Sequence, residues 1–231
     1  MQSFNLVEMW HAMGLVARGV VILLVMLSTY SLWVICERFV VFSRVQRQSF
    51  SFVLGLRDKM RNEDLPGAHA LSQATPQPPI AKVVDEALTE YQEGQEALRA
   101  NPSRAESFDV VDLVNFAVDR VKEREVATLK KGLGGLASIS SAAPFIGLFG
   151  TVVGIINAFQ SMAATGAGGI GSISAGISEA LFTTAVGLSV AIPAVMAFNY
   201  FTNAIEQFVV DINDVSSELI SYVVKRGEGN G

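Results

Sequence analysis

Glu179 is the residue most out of place in this chain. From Gly132 through Ile205 it is the only Asp, Glu, Lys, Arg or His. A charged carboxylate in the middle of a membrane helix costs about 2.5–3.5 kcal/mol on insertion scales. Desolvation favours its protonated form, so a carboxyl placed there is suited to taking up and releasing a proton. Thr183, four residues on, shares its helical face. Thr184 lies about 140° round the helix, and Thr151 supplies a hydroxyl from the preceding apolar stretch. One carboxyl among hydroxyls suits a path for protons or hydrated cations. No Lys or Arg in these stretches can neutralise Glu179, so a counter-group is expected from another chain. The plainer alternative is a protonated or hydrogen-bonded carboxyl that ties helices together.

Other chemistry is poorly supplied. Gly166-Ala-Gly168-Gly-Ile-Gly171 matches the G-x-G-x-x-G dinucleotide fingerprint. That fingerprint works only after a buried strand, with an acid about 20 residues on. Here apolar spans flank it and Ala191 stands where the acid belongs, so it is expected to be an external loop. His11 and His69 are far apart in the sequence with no ligand cluster around either, and both are expected to be polar bystanders. The single cysteine, Cys36, excludes a disulfide framework and a cysteine metal site. A net charge of −5 offers no basic surface for nucleic acid. With no nucleophile–base pair and no metal or cofactor constellation, an enzyme is not expected.

The elements that position Glu179 follow from length and charge. A helix needs about 20 apolar residues to cross a hydrocarbon core of roughly 30 Å. The apolar stretch from Gly132 holds two such spans, and the uncharged stretch from Gly19 to Cys36 holds a third. That first span reads as a retained anchor, because Glu37-Arg38-Phe39 replaces the small-residue site at which a signal peptide is cut. The expected fold is an all-α membrane protein with a helical cytoplasmic domain. Its segments are 1–18 (a short outer segment), 19–42 (span one), 43–137 (the cytoplasmic domain), 138–163 (span two), 164–172 (an outer loop), 173–200 (span three) and 201–231 (a cytoplasmic helix).

Lys and Arg near span ends mark the cytoplasmic side. Arg38, Arg44 and Arg47 follow span one, Lys130 and Lys131 precede span two, and Lys225 and Arg226 lie in the tail. Only Arg18 opposes the trend. The N-terminus is expected outside and the C-terminus inside. Segment 43–137 carries 13 Lys/Arg and 14 Asp/Glu, as a soluble domain would.

Within that domain, Pro66-Gly67 and Thr75-Pro76-Gln77-Pro78-Pro79 read as turns. Ile80, Val83, Val84, Ala87, Leu88 and Tyr91 fall at helical spacing. Asn101-Pro102-Ser103 breaks the pattern, and Ser103 with Glu106 has capping-box spacing for a new helix. Val110, Val114, Ala117, Val118 and Val121 give that helix its apolar stripe, and Gly132, Gly134 and Gly135 mark a bend after it.

Spans two and three carry stripes of small residues: Gly147, Gly150 and Gly154 on one, and Ala180, Thr184, Gly187 and Ala191 on the other. Such stripes let helix backbones approach closely in lipid. They predict contact with neighbouring helices and oligomers, while Pro144 and Pro193 mark kinks.

Pro144-Phe-Ile-Gly147-Leu-Phe-Gly150-Thr151-Val-Val-Gly154 and Gly176-Ile-Ser-Glu179-Ala-Leu-Phe-Thr183-Thr184-Ala-Val-Gly187-Leu, with Ala191-Ile-Pro193-Ala, resemble the ExbB/TolQ/MotA proton-channel family, and most closely its ExbB and TolQ branch. The likeness is carried by roughly residues 132–200. It implies a homopentamer in the bacterial inner membrane, enclosing two single-span ExbD/TolR-type subunits whose helix carries an Asp, the missing counter-group. It also implies that proton flow moves the partner, which passes force to a TonB-, TolA- or motility-type protein. By motif, Glu179, Thr151 and Thr184 take the family's pore positions, and Thr183 stands where some relatives have Ala. Two alternatives remain beside this. A self-sufficient ion transporter would show an inverted repeat and paired ligands, and neither is visible. A structural scaffold would tolerate Glu179→Gln.

Overall fold

A computed structural model of the protein describes residues 10, 13–74, 77–100, 109–165 and 170–228. These form six helices and no strand: α1 (Leu15–Arg61), α2 (Leu65–Ser72), α3 (Pro79–Ala100), α4 (Val110–Leu129), α5 (Leu133–Thr165) and α6 (Ile170–Glu228). Three of them, α1, α5 and α6, are long and apolar enough to cross a membrane. Hydrocarbon leaves no other partner for backbone N–H and C=O groups, and a helix satisfies them within the span itself. Both α1 and α6 run without a break past the expected span ends. Pro144 lies inside α5 and Pro193 inside α6.

The chain divides into two units, and the long helices α1 and α6 contribute to both. The first contains the start of α1, all of α5 and α6 as far as Phe201. Its α5 buries Leu133, Leu136, Ile139, Ala143, Gly147, Gly150 and Gly154, three or four residues apart. That spacing is one helical face. Bulky side chains occupy the face at first, and from Ala143 onward only Ala and Gly. The opposite faces expose Phe145, Phe149, Val152, Ile156, Leu181, Leu188, Ile192 and Met196, an apolar surface suited to lipid or neighbouring subunits.

The second unit contains α2 to α4 with the remainders of α1 and α6. Its apolar stripes follow the sequence periodicity. Ile80, Val83, Val84, Ala87 and Leu88 of α3 are buried, as are Val110, Val114, Ala117 and Val118 of α4, whereas Tyr91 and Val121 are half-buried. The two helices run antiparallel. Gly94 faces Val110, Arg120 pairs with Glu86, and Lys82 Nζ meets Glu125 Oε1 at 2.9 Å. A buried Val or Leu contributes about 1.5–3 kcal/mol over an exposed one, against about 0–1 kcal/mol for a largely exposed ion pair such as Arg120–Glu86. The stripes therefore hold this domain, and the ion pairs lie alongside them.

Pro66-Gly67, expected as a turn, instead lies in the first turn of a helix, and Thr75-Pro76 of the second expected turn lie outside the described residues. Asp64 is the N-cap of that helix, α2, and the carboxylate accepts the Gly67 N–H at 2.8 Å. Lys59 Nζ donates to the same carboxylate at 2.8 Å. That bond, then the Gly67 N–H, holds the Asp64 carboxyl below its ordinary range, and the carboxylate holds the Lys59 ammonium above its own. The Ser103–Glu106 capping box lies outside the described residues. The observed α4 begins at Val110, capped by Asp109, which accepts the Val111 N–H at 2.8 Å. At its other end α4 stops at Leu129, whose carbonyl accepts from Arg38 at 3.5 Å, a favourable place for a cation. Gly132 then turns the chain with φ +79°, a conformation that strains any side-chain-bearing residue.

Candidate functional site

The two small-residue stripes meet each other within one subunit. A Cβ added to Gly147 would stand 2.9 Å from the Thr183 carbonyl oxygen and 3.2 Å from Gly187 Cα. One added to Gly187 would stand 2.7 Å from the Ala143 carbonyl oxygen, and one on Gly154 would be 3.0 Å from Ala180 Cβ. Helices α5 and α6 thus touch backbone to backbone, as small residues allow. The spacing of these stripes predicts contact with neighbouring helices as well as oligomers. The first partner of each is the other.

The close approach brings three hydroxyls together. Thr151 Oγ1 on α5 is hydrogen-bonded to Thr184 Oγ1 on α6 and lies 3.5 Å from Thr183 Oγ1. It is also 2.9 Å from the Ala180 carbonyl and 3.2 Å from that of Gly147. Thr183 Oγ1 reaches the same two carbonyls at 2.7 and 3.3 Å, and Thr184 Oγ1 reaches that of Gly147 at 3.3 Å. Thr183 is fully buried. Each hydroxyl has one proton and two lone pairs. Three protons thus have more acceptors in reach than they can satisfy at once, and the network can be rewired by rotating hydroxyls. Thr183, assigned from the sequence to the face of Glu179, belongs to this network as fully as Thr151 and Thr184.

Glu179 stands about one turn before Thr183 and Thr184 on α6, about 14 Å along the helix from its first residue, Ile170. Its Oε1 accepts a hydrogen bond at 2.9 Å from the backbone N–H of Gly14, just before α1. The expected counter-group was a charge on another chain. Within this subunit the partner is a neutral amide of the same chain. Among the described residues no hydrogen bond joins Glu179 to the three threonines.

Elsewhere, Gly166–Gly169 of the glycine-rich stretch and His11 lie outside the described residues. His69, expected to be a bystander, joins α2 to α3: its Nε2 lies 3.2 Å from Asp85 Oδ1 and 3.3 Å from Thr89 Oγ1. Ser72 donates to the same Asp85 at 3.1 Å. No group of three or more His, Cys, Asp or Glu among the described residues could hold a metal.

Glu179 and the threonine network lie in a stretch that known proteins share. A model of the MotA/TolQ/ExbB proton channel family matches residues 79–214, more than half of the chain. The chain belongs to that family. Among similar proteins, the biopolymer transport protein ExbB of Pseudomonas putida is 37% identical over 128 residues, 55% of this chain and 39% of that protein. The ExbB of Xanthomonas campestris pv. campestris (strain B100) is 33% identical over 150 residues, 65% of this chain and 59% of its own. That of Neisseria gonorrhoeae is 29% identical over 205 residues, 87% and 89% of the two chains. The chain thus spans less than two thirds of the first two relatives and most of the third. These likenesses lie on the ExbB/TolQ branch of the family, whose members are channel and transport components of membranes.

Proposed function

We propose that this chain is the proton-channel subunit of a bacterial inner-membrane motor, converting proton motive force into mechanical work through an ExbD/TolR-type partner. The observation that carries the reading is one carboxyl, Glu179, a turn away from a network of three hydroxyls between two otherwise uncharged spans. Five copies enclose two single-span partners, whose intramembrane Asp faces the pore, and the partner passes force to a TonB-, TolA- or motility-type protein. The N-terminus and residues 164–172 face the periplasm, and 43–137 with 201–231 face the cytoplasm. The relatives' naming as biopolymer transport proteins supports an output in import across the envelope; Tol-Pal-like maintenance and gliding use the same motor chemistry.

The energies match. A proton crossing 150–200 mV releases roughly 3–5 kcal/mol, comparable with the cost of about 2.5–3.5 kcal/mol for a charged carboxylate in a span. Each change of protonation can therefore switch which helix arrangement is preferred. The Gly14–Glu179 hydrogen bond favours a second reading, a scaffold in which Glu179 only ties α1 to α6. A glutamine can accept the same N–H. Glu179→Gln at normal abundance in the assembled complex therefore separates the readings: the motor loses its output and the scaffold keeps it.

A further inference from the structure

Gly14 precedes the first residue of α1, and its carbonyl accepts the Arg18 N–H at 3.0 Å. Its own N–H therefore has no partner to seek within the helix, and it points instead at Glu179 Oε1, 2.9 Å away. The surroundings fix this alignment. Met13, Ala17 and Val21 form a buried cluster on which Phe182 packs, three residues beyond Glu179. The Cβ position of Gly14 is 3.5 Å from Asn157 Nδ2 on α5 and 3.9 Å from Glu179 Oε1. Asn157 is six residues from Thr151, about 9 Å along α5. The polar groups thus fall into two stations: Glu179, Gly14 and Asn157 at one level, and the three threonines about 6–9 Å away along the helices.

We infer that Gly14 is a positioning residue: its amide N–H holds the Glu179 carboxyl at the first station, and proton passage to the threonine station requires that hydrogen bond to open. The inference rests on the proton-path reading of Glu179. A hydrogen bond to an ionised acceptor is roughly twice as strong as one between neutral groups. The Gly14 N–H therefore grips the carboxylate firmly and the protonated acid weakly, so arrival of a proton is what releases the side chain. The carboxyl can then swing toward Thr183 and Thr184, to which nothing bonds it in the held state.

A carbodiimide, which couples to protonated carboxyls in apolar surroundings, reads this directly on the complex assembled with its partner subunits in membranes. Gly14→Pro deletes the N–H just before the first residue of α1, where no hydrogen bond within the helix is lost. Gly14→Ala keeps the N–H, and its Cβ meets only ordinary contacts. Glu179 in Gly14→Pro is expected to label at least about fivefold faster than native, the factor released by a hydrogen bond worth about 1 kcal/mol. Gly14→Ala is expected to stay within about twofold of native on the same scale. A native rate in Gly14→Pro overturns the inference, and so does equal acceleration by both variants, which would assign the effect to packing. Should Gly14→Pro fail to accumulate, alanine at 14 is compared with its α-hydroxy analogue, an ester lacking only the N–H, made by cell-free translation into lipid. Faster labelling of the ester supports the inference and equal rates overturn it. The labelling needs no work output. Unchanged rates remove the role of Gly14 while leaving the motor reading intact, and full output from Glu179→Gln removes the motor reading.

Discussion

Gly187 lies against the carbonyl of Ala143 so closely that a Cβ would come within 2.7 Å of its oxygen. The neighbour is backbone, which has no rotamer by which to step aside. A methyl group there forces α5 and α6 apart, and the hydroxyl network between them depends on that approach. Gly187→Ala is expected to lower the abundance of folded subunit. Gly187→Leu and Gly150→Leu should abolish it, rather than only dissolving oligomers of a sound subunit. Gly134→Ala, which meets nothing within 4 Å in the subunit, should be neutral or gain up to about 1 kcal/mol in helix propensity. Protease resistance in mild detergent, compared across the four variants, checks the order.

The threonines are expected to differ by their connectivity. Thr151 is in reach of both other hydroxyls and both shared carbonyls, whereas Thr184 reaches Thr151 and the Gly147 carbonyl. Thr151→Val, which keeps the shape and deletes the hub, should cause the most severe loss of proton-driven output. Thr184→Val should cause a partial to severe loss. Each lost hydrogen bond costs about 0.5–1.5 kcal/mol, so subunit abundance should fall little. Thr→Ser at either position keeps the hydroxyl and should restore most output. Equal, full output from both valine variants would remove the network from the path.

Much of this arrangement is legible in the sequence, for identifiable reasons. The spans are visible because so long a stretch with a single charge, Gly132 to Ile205, has no soluble solution. The α3 and α4 stripes are visible because burial imposes helical spacing. Glu179 and the threonines stand out by type. Gly14 does not: its contribution is a backbone N–H, which every residue but proline carries, and it meets Glu179 across 165 positions. Whether a glycine stripe packs on its own chain or on another copy is likewise silent in spacing, because both contacts ask for the same small residues. His69 looked isolated because Asp85 and Thr89 reach it only after α2 folds onto α3.

The start of α2 should depend on pH. The Asp64 carboxyl is held below its ordinary range first by the hydrogen bond from Lys59 and then by the Gly67 N–H. A lowered acid contributes stability that is complete above its unfolded value and is lost as pH falls through its folded one. Lys59, held above its ordinary value, contributes below that value and loses its contribution as pH rises through the folded one. The cap is therefore strongest between the two ranges, from mildly acidic to mildly alkaline pH. Hydrogen exchange at the Gly67 amide, corrected for intrinsic rate, should lose protection on acidification below the ordinary carboxylate range. Asp64→Asn should remove that pH dependence.

Sidedness has a direct test. In a Cys36→Ser background, an impermeant thiol reagent added from outside should label Gly168→Cys and leave Glu93→Cys unlabelled until the membrane is opened. Strong external labelling at position 93 would reverse the proposed topology and place the charged helical domain outside.

Glu179 itself can be varied in two independent ways. Glu179→Gln keeps length and a hydrogen-bond acceptor for the Gly14 N–H and removes only the exchangeable acid. A neutral amide also costs less in lipid than a charged carboxylate, so folding and partner assembly should survive while proton-driven work disappears. Glu179→Asp does the reverse: it keeps the acid and withdraws it by one methylene, more than a hydrogen bond of 2.9 Å can span without moving the backbone. A displacement of about 1 Å is enough to cost on the order of 10²-fold in a positioned reaction, so Asp should retain a small but measurable output where Gln retains none. Import, envelope integrity or gliding, measured beside the abundance of the assembled complex, orders the variants as native, then Asp, then Gln. Gln working as well as native at equal abundance would falsify the proton-carrying role and leave Glu179 as a tie between α1 and α6.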